Sequence, residues 1–471
     1  MRPHASSKSS SQLALNLKSF AITKNAFLPE HSPCKALSNA YYQAWEAVAL
    51  SLPALLATGE LRTAIRSLPI LSVDFLQSEA EWRRAYVILG FMMHGYIWGG
   101  DHPEEVLPPQ ITVPLLQVSN HLELPPVLTY AAASLWNFSS DQDDFSDLES
   151  IETLFTFTGT ESESWFFLIS VAIESKAASA IPVMLLALDA VKEKDFATIT
   201  QALWQLRTCI QDLHGLLQRM YERCDPTVFY HKIRPFLAGS KNMEAAGLPR
   251  GIFYDEGGER GEWRSLRGGS NGQSSLIQFF DIVLGVDHST PIPGQKSFHQ
   301  EAREYMPGPH RRFLSYVELL GSIQKLAVAA KLSPDPVQMQ LCEAYTAATE
   351  ALATFRSEHM QIVTRYIILP ARSAARGVGS KRLDVEKRPQ NLASLTISAH
   401  EGSQKLRGTG GTMLVPFLRK ARDVTIEAGR LDKKAGVVLL SGQRWFYGLF
   451  LLAMPCFFVL LLTPQHLPLL Q

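Results

Sequence analysis

The chain has 471 residues, enough for two or three domains, and its 46% hydrophobic content can supply a substantial core. Basic and acidic residues balance at 45 each with no long block of either sign, which excludes the electrostatic footprint of a nucleic-acid-binding protein. The five cysteines, Cys34, Cys209, Cys224, Cys342 and Cys456, show no CxxC or CxxCH spacing. That pattern argues against zinc, an iron-sulfur cluster or covalent haem attachment, and fits a reducing, cytoplasmic compartment.

Residues 1–19 form a polar N-terminal segment. The first 24 residues are Ser-rich, carry Arg2, Lys8, Lys18 and Lys24, and contain no acid, so they read as a frayed polar terminus with a mitochondrial presequence as the alternative. From about Ser38 to Phe138, apolar-periodic stretches alternate with short Pro or Gly punctuation, as in Trp82 to Trp98 and at Leu124-Pro125-Pro126. This reads as a small helical domain spanning 20–150. The acidic stretch Ser139 to Glu152 reads as a linker.

A larger helical domain follows, spanning 151–429. Ser164 to Val191 is apolar almost throughout, interrupted by Glu174, Lys176, Asp189 and small residues, so it should be a buried helix that Pro182 kinks or divides. Phe196 to Cys224 continues helically. Between Gly239 and Ser275 the composition shifts to glycine and charge and predicts a long irregular loop. Leu276 to Gly285 returns to apolar helix.

Asp335-Pro336 supplies an N-cap followed by proline at the first helical position, and Pro370 closes the far end. The helix between them would run about 34 residues, or about 50 Å. Along it, Leu341, Tyr345, Ala348, Leu352, Phe355, His359, Ile362 and Tyr366 fall on one stripe that is apolar apart from His359. An isolated histidine on such a face is more often a packed core residue than a ligand. Arg356, one turn before it, lies on nearly the same face, and the pair suits an anionic metal cofactor such as haem. Ala371 to Thr412 reads as a long polar loop, and Met413 to Gly429 as a shorter amphipathic helix.

The extension 430–471 ends the chain. Trp445 to Leu462 is an uncharged, mostly apolar run behind Lys433, Lys434 and Arg444, at the lower length limit for a membrane span. The basic flank would leave the main body cytoplasmic, as a tail anchor. Pro455 at its centre weakens that reading, and a packed hydrophobic tail is the alternative.

Six motifs keep one order along the chain: Ser164 to Ser170 (SWFFLIS), Phe229 to Arg234 (FYHKIR), Gly268 to Ser275 (GGSNGQSS), Met306 to Arg311 (MPGPHR), Phe355 to Ile368, and Gly408 to Thr412 (GTGGT). Together they resemble the indoleamine 2,3-dioxygenases, in the fungal branch of that family, over about Phe20 to Gly429. The resemblance implies an all-α, two-domain haem enzyme, expected as a monomer. It would cleave the indole C2–C3 bond of L-tryptophan with O2 to give N-formylkynurenine, opening the kynurenine route, and would need an electron donor for ferric haem.

On that resemblance His359 matches the proximal ligand of haem b, Arg356 the residue that meets a propionate, and Asp281 its carboxylate partner. A buried guanidinium needs such partners. The pocket is assigned by the same resemblance to Tyr130, Phe166, Phe167, Ser170, Phe229, Leu237, Gly269, Ser270 and Asn271, although the aromatic members also read as plain core. Aromatic walls suit an indole and exclude water, and Ser170 would be the hydroxyl beside the ring nitrogen. Arg234 matches the residue that binds the substrate carboxylate, a task suited to its planar fork. Thr409 matches a loop that folds over substrate near its ammonium group. His310, in MPGPHR, is the rival for iron, read instead as a structural histidine. Two positions depart from vertebrate members, which commonly carry cysteine at Ala133 and alanine at Asn271. The other classes of function open to this chain are a noncatalytic haem or O2 binder of the same fold and a scaffold tethered through its hydrophobic tail.

Overall fold

The computed structural model describes residues 17–290, 294–375 and 414–431. The expected loop with Thr409 and the hydrophobic run Trp445 to Leu462 therefore lie outside the described residues, as does nearly all of the polar segment 1–19.

The longer helices are α1 (Glu79–Trp98), α2 (Pro109–His121), α3 (Glu161–Lys176), α4 (Ala180–Glu193), α5 (Phe196–Gln218), α6 (Ser275–Leu284), α7 (Gly308–Glu318), α8 (Pro336–Val363) and α9 (Leu414–Gly429). Their ends follow local chemistry. Ser78, Thr160, Asp195, Ser274 and Asp335 each accept a backbone N–H in the first turn of the helix that follows. Gly285 takes the left-handed conformation that closes α6. The fold is all-α with small β elements, and α8 packs lengthwise against both α5 and α9.

The described residues fall within one compact unit, and one hydrophobic cluster runs from Ile22 to Ala428, crossing the boundary expected near 150. Polar contacts tie the N-terminal helices to the segment after residue 234. His94 on α1 is buried. The Leu128 N–H donates to its Nε2 at 3.2 Å, so its Nδ1 carries the proton and donates to the Phe236 carbonyl at 2.6 Å. Trp98 donates to the Ala238 carbonyl at 2.8 Å. These two bonds fix the backbone that carries Arg234 and Leu237.

Four sequence expectations are corrected. The acidic stretch 139–152 is closed by a hairpin, Phe138–Ser140 paired with Ile151–Thr153. Its acids point outward while Phe145 and Leu148 are buried, and Phe138 meets Phe145 edge to face at 4.9 Å. The region 239–275 contains a second hairpin, Ile252–Gly257 with Arg260–Arg264, and Val106–Leu107 joins it in parallel. Ile252 and Tyr254 alternate inward there, a period masked by the glycines of the turn. The apolar run 164–191 divides at Ala177–Ser179, and Pro182 occupies the first turn of α4, where no N–H bond is lost. Pro370 does not close the long helix. A π turn, Thr364–Ile368, follows α8, and helix resumes at Leu369–Ala375 with the proline at its second position.

Candidate active site

Three π-helical turns occur among the described residues, Ala131–Leu135, Phe229–Ile233 and Thr364–Ile368. All three supply walls of one cavity, through Ala133 and Ser134, Phe229, and Tyr366 and Ile367. An inserted residue in a helix re-aims the side chains after it, and such turns concentrate at functional sites. The third is anchored from behind: the Tyr366 hydroxyl donates to the carbonyls of Met220 and Cys224 at 3.1 and 2.8 Å.

The cavity gathers Tyr130, Phe166, Phe167, Ser170, Phe229, Arg234, Leu237, Gly269, Ser270, Asn271, Arg356 and His359, residues drawn from five separated stretches of sequence. Ala133 joins them. Asp281 sits behind Arg356, outside the lining, and Thr409 lies outside the described residues. The aromatic wall is contiguous. The Phe166 ring lies 4.9 Å from Phe229 and 5.5 Å from Phe167, and Phe229 meets Tyr366 edge to face at 5.8 Å.

His359 is half-buried because its ring faces this cavity, and among the described residues neither ring nitrogen has a hydrogen-bond partner. Burial, reinforced by Arg356 one turn away, pushes its pKa down to about 4, so the imidazole is neutral near pH 7 with a lone pair to offer. His310 is elsewhere: it is buried edge-on to Phe27, with ring centroids 5.0 Å apart, and does not line the cavity.

The guanidinium of Arg356 donates to both oxygens of Asp281, at 2.7 and 2.8 Å, and to the hydroxyl of Thr425 on α9. Burial alone would raise the Asp281 pKa. The charge of Arg356 and a 3.0 Å hydrogen bond with His288 Nε2 overcome that and hold it at about 2. Arg234 is 2% exposed and lies across the Tyr230 ring at 5.7 Å. Burial lowers its pKa, with Tyr230 acting the other way, so a carboxylate arriving in the cavity would meet a poorly solvated cation.

Sequence reasoning passed over Glu174 as a mere interruption of an apolar helix. It is fully buried, one turn beyond Ser170, and accepts hydrogen bonds on Oε1 from Tyr130 at 3.0 Å and Ser274 at 2.8 Å, while Oε2 has no partner among the described residues. Burial pushes its pKa up to about 7 against those two bonds. The lone acid in an apolar run was the available signal. Ser274 also caps α6, and Gln273 accepts from the Tyr130 N–H at 2.8 Å while donating to the Gly268 carbonyl at 2.9 Å. Gly268 lies so close to Gly239 that a Cβ on either would strike the other's backbone. The glycine-rich segment is thereby held against the cavity floor.

The sequence is similar to those of known proteins along nearly all of this fold. The family model for indoleamine 2,3-dioxygenase covers residues 16–428. An indoleamine 2,3-dioxygenase of Penicillium citrinum is 40% identical over 90% of this chain and 91% of its own length. A 6-hydroxytryptophan 2,3-dioxygenase of Fusarium equiseti is 38% identical, over 88% of this chain and 98% of its own. The indoleamine 2,3-dioxygenase of Saccharomyces cerevisiae is 39% identical, over 87% and 93%. With a match across nearly its whole described length, the chain belongs to the indoleamine 2,3-dioxygenase family of oxidoreductases.

Proposed function

We propose that this protein is a haem-dependent dioxygenase that opens the C2–C3 bond of L-tryptophan with O2 to give N-formylkynurenine. The observation that carries the reading is a single cavity holding a neutral imidazole with no hydrogen-bond partner among the described residues, a buried guanidinium and a contiguous aromatic wall. The donor set fits haem b: His359 would ligate the iron, and Arg356, fixed by Asp281, would meet a propionate. When bound, the haem supplies the redox-active iron at which O2 is activated, and an electron donor is needed to hold that iron ferrous.

The remaining work falls to the chain. Arg234 holds the substrate carboxylate through its planar fork, and Phe166, Phe167 and Phe229 receive the indole and exclude water. Tyr130, Leu237, Gly269, Ser270 and Asn271 bound the remaining space, and Thr409 belongs to the segment proposed to cover the bound amino acid. Tyr130, whose hydroxyl donates to Glu174, links the cavity wall to a buried carboxyl of raised pKa, and Ser170 lies one helical turn from that carboxyl. Among the described residues the aromatic wall carries no strong base, consistent with a reaction that uses the electron density of the indole itself.

The test is reconstitution with haem, followed by reductant, O2 and L-tryptophan, reading the absorbance of N-formylkynurenine. Because a relative is named for 6-hydroxytryptophan, that amino acid is run in parallel. Turnover of L-tryptophan supports the reading. Haem uptake with no ring-opened product from either substrate would overturn it in favour of a noncatalytic haem protein.

A further inference from the structure

Behind Arg356 and Asp281 lie two histidines to which none of the roles above is given. His288 Nε2 is 3.0 Å from Asp281 Oδ2, and the His299 ring stacks on His288 with centroids 3.7 Å apart and planes 13° from parallel. One ligand atom from each of Asp281, His288 and His299 lies within 4.8 Å of the others. His299 and Phe298 both line the cavity, as Arg356 does, and Phe417 flanks the His299 ring at 5.4 Å. The backbone beneath is fixed by a capping box between Ser297 and Gln300, and by the Gln278 side chain, which donates to the His299 carbonyl at 3.0 Å. Among the described residues the His299 ring makes no hydrogen bond.

Two histidines and a carboxylate are a common donor set for a divalent cation. Three features argue against one here. Both Asp281 oxygens are already engaged by Arg356, a positive charge stands beside the group, and stacked imidazoles do not converge on one point. An anion suits the same atoms better. Arg356 and Asp281 cancel in charge. The groups facing His299 are His288, Asp281, Arg356 and Arg303. Burial and then His288 lower its pKa, Asp281 opposes them, and Arg356 and Arg303 add to the fall, so the ring is neutral with a pKa of about 3. A carboxylate entering beside Arg356 would gain an N–H donor from His299 and would stabilise that ring's protonated form as well.

We propose that His299, braced by His288, is a second anchor for an anionic propionate of the bound haem, beside Arg356. The proposal rests on the haem reading above and adds to it a residue of this chain outside the motifs that carry the family resemblance.

The test measures the rate at which reconstituted ferric protein loses haem to excess apomyoglobin, followed by absorbance, for wild type, H299L and H299Q. A hydrogen bond to a charged group sets the expected size: H299L should lose haem about tenfold to a hundredfold faster, and H299Q, which keeps an N–H donor, should stay within about threefold of wild type. The same rates are then measured with haem dimethyl ester, which has no anionic carboxylates; there the gap between wild type and H299L should close. A gap that persists with the ester, or equal rates with ordinary haem, overturns the proposal. So does stoichiometric zinc in the purified wild type that H299L lacks. Failure of the wild type to take up haem at all would instead overturn the haem reading itself.

Discussion

The phenol of Tyr130 donates to Glu174 Oε1 across 3.0 Å, and the pair is sealed from bulk water while Tyr130 also forms part of the cavity wall. A carboxyl group buried beside two hydroxyls and no cation is stabilised in its neutral form. Glu174 thus couples the protonation of the protein interior to a residue that faces the proposed substrate.

The sign of the resulting pH dependence is fixed. The folded Glu174 carboxyl has a pKa of about 7 against an ordinary 4.5, so the native state binds this proton more tightly than the unfolded chain does. Its contribution to stability is full below about 4.5, falls as pH rises, and is lost above about 7. E174Q, neutral at every pH, should therefore gain on wild type by on the order of 3 kcal/mol between pH 4.5 and pH 8. Urea unfolding of both proteins at those two pH values checks this; a difference independent of pH would mean that Glu174 is ionised in the fold.

Arg356 and Asp281 behave oppositely. The Asp281 pKa is held at about 2, below its ordinary 3.8, so the pair stabilises the fold above that range and the gain disappears as pH falls from about 4 to about 2. Removing one partner strands the other as a buried charge. R356L and D281N should each cost about 3–5 kcal/mol in the haem-free protein at pH 7, and D281N should also flatten the acid limb of the unfolding curve. Equal stability of D281N and wild type at pH 7 would show that solvent reaches the pair.

How far the sequence foretold this arrangement depends on the range of the interaction. The long helix bearing His359 was legible from its Asp-Pro start and its apolar stripe, both local signals. Its continuation past Pro370 was not, because the π turn at 364–368 depends on Tyr366 reaching the carbonyls of Met220 and Cys224, more than 140 residues away in sequence. The hairpin at 252–264 was hidden for a related reason. Its alternation spans few residues, and its parallel partner, Val106–Leu107, is remote. At the cavity, ordered motifs pointed to most of the residues that converge there. His299 and Glu174 were missed because their significance lies in what they touch, Asp281 through His288 in one case and Tyr130 in the other.

The assignment of His359 over His310 predicts a spectroscopic outcome. H359A should lose tight haem binding and dioxygenase activity together, and added imidazole should restore part of the haem absorbance by filling the space left on α8. H310A removes a ring packed against Phe27, away from the cavity, and should lower stability while leaving the haem spectrum unchanged. A histidine-ligated spectrum retained in H359A and lost in H310A would reverse the assignment.

Arg234 offers the sharpest test of how substrate is held. Lysine at this position would keep the charge and lose the planar two-pronged donor, and it would leave the buried space beside Tyr230 imperfectly filled. R234K should therefore lower kcat/KM for L-tryptophan by about tenfold to a hundredfold, the scale of one or two charged hydrogen bonds. Tryptamine has the same indole and ammonium group without the carboxylate, so it gives the control. If Arg234 acts on the carboxylate, wild type and R234K should process or bind tryptamine nearly alike, both weakly. An equal loss on both compounds would mean that the substitution disturbs the aromatic wall, and the guanidinium would then be a packing element of the π turn that precedes it.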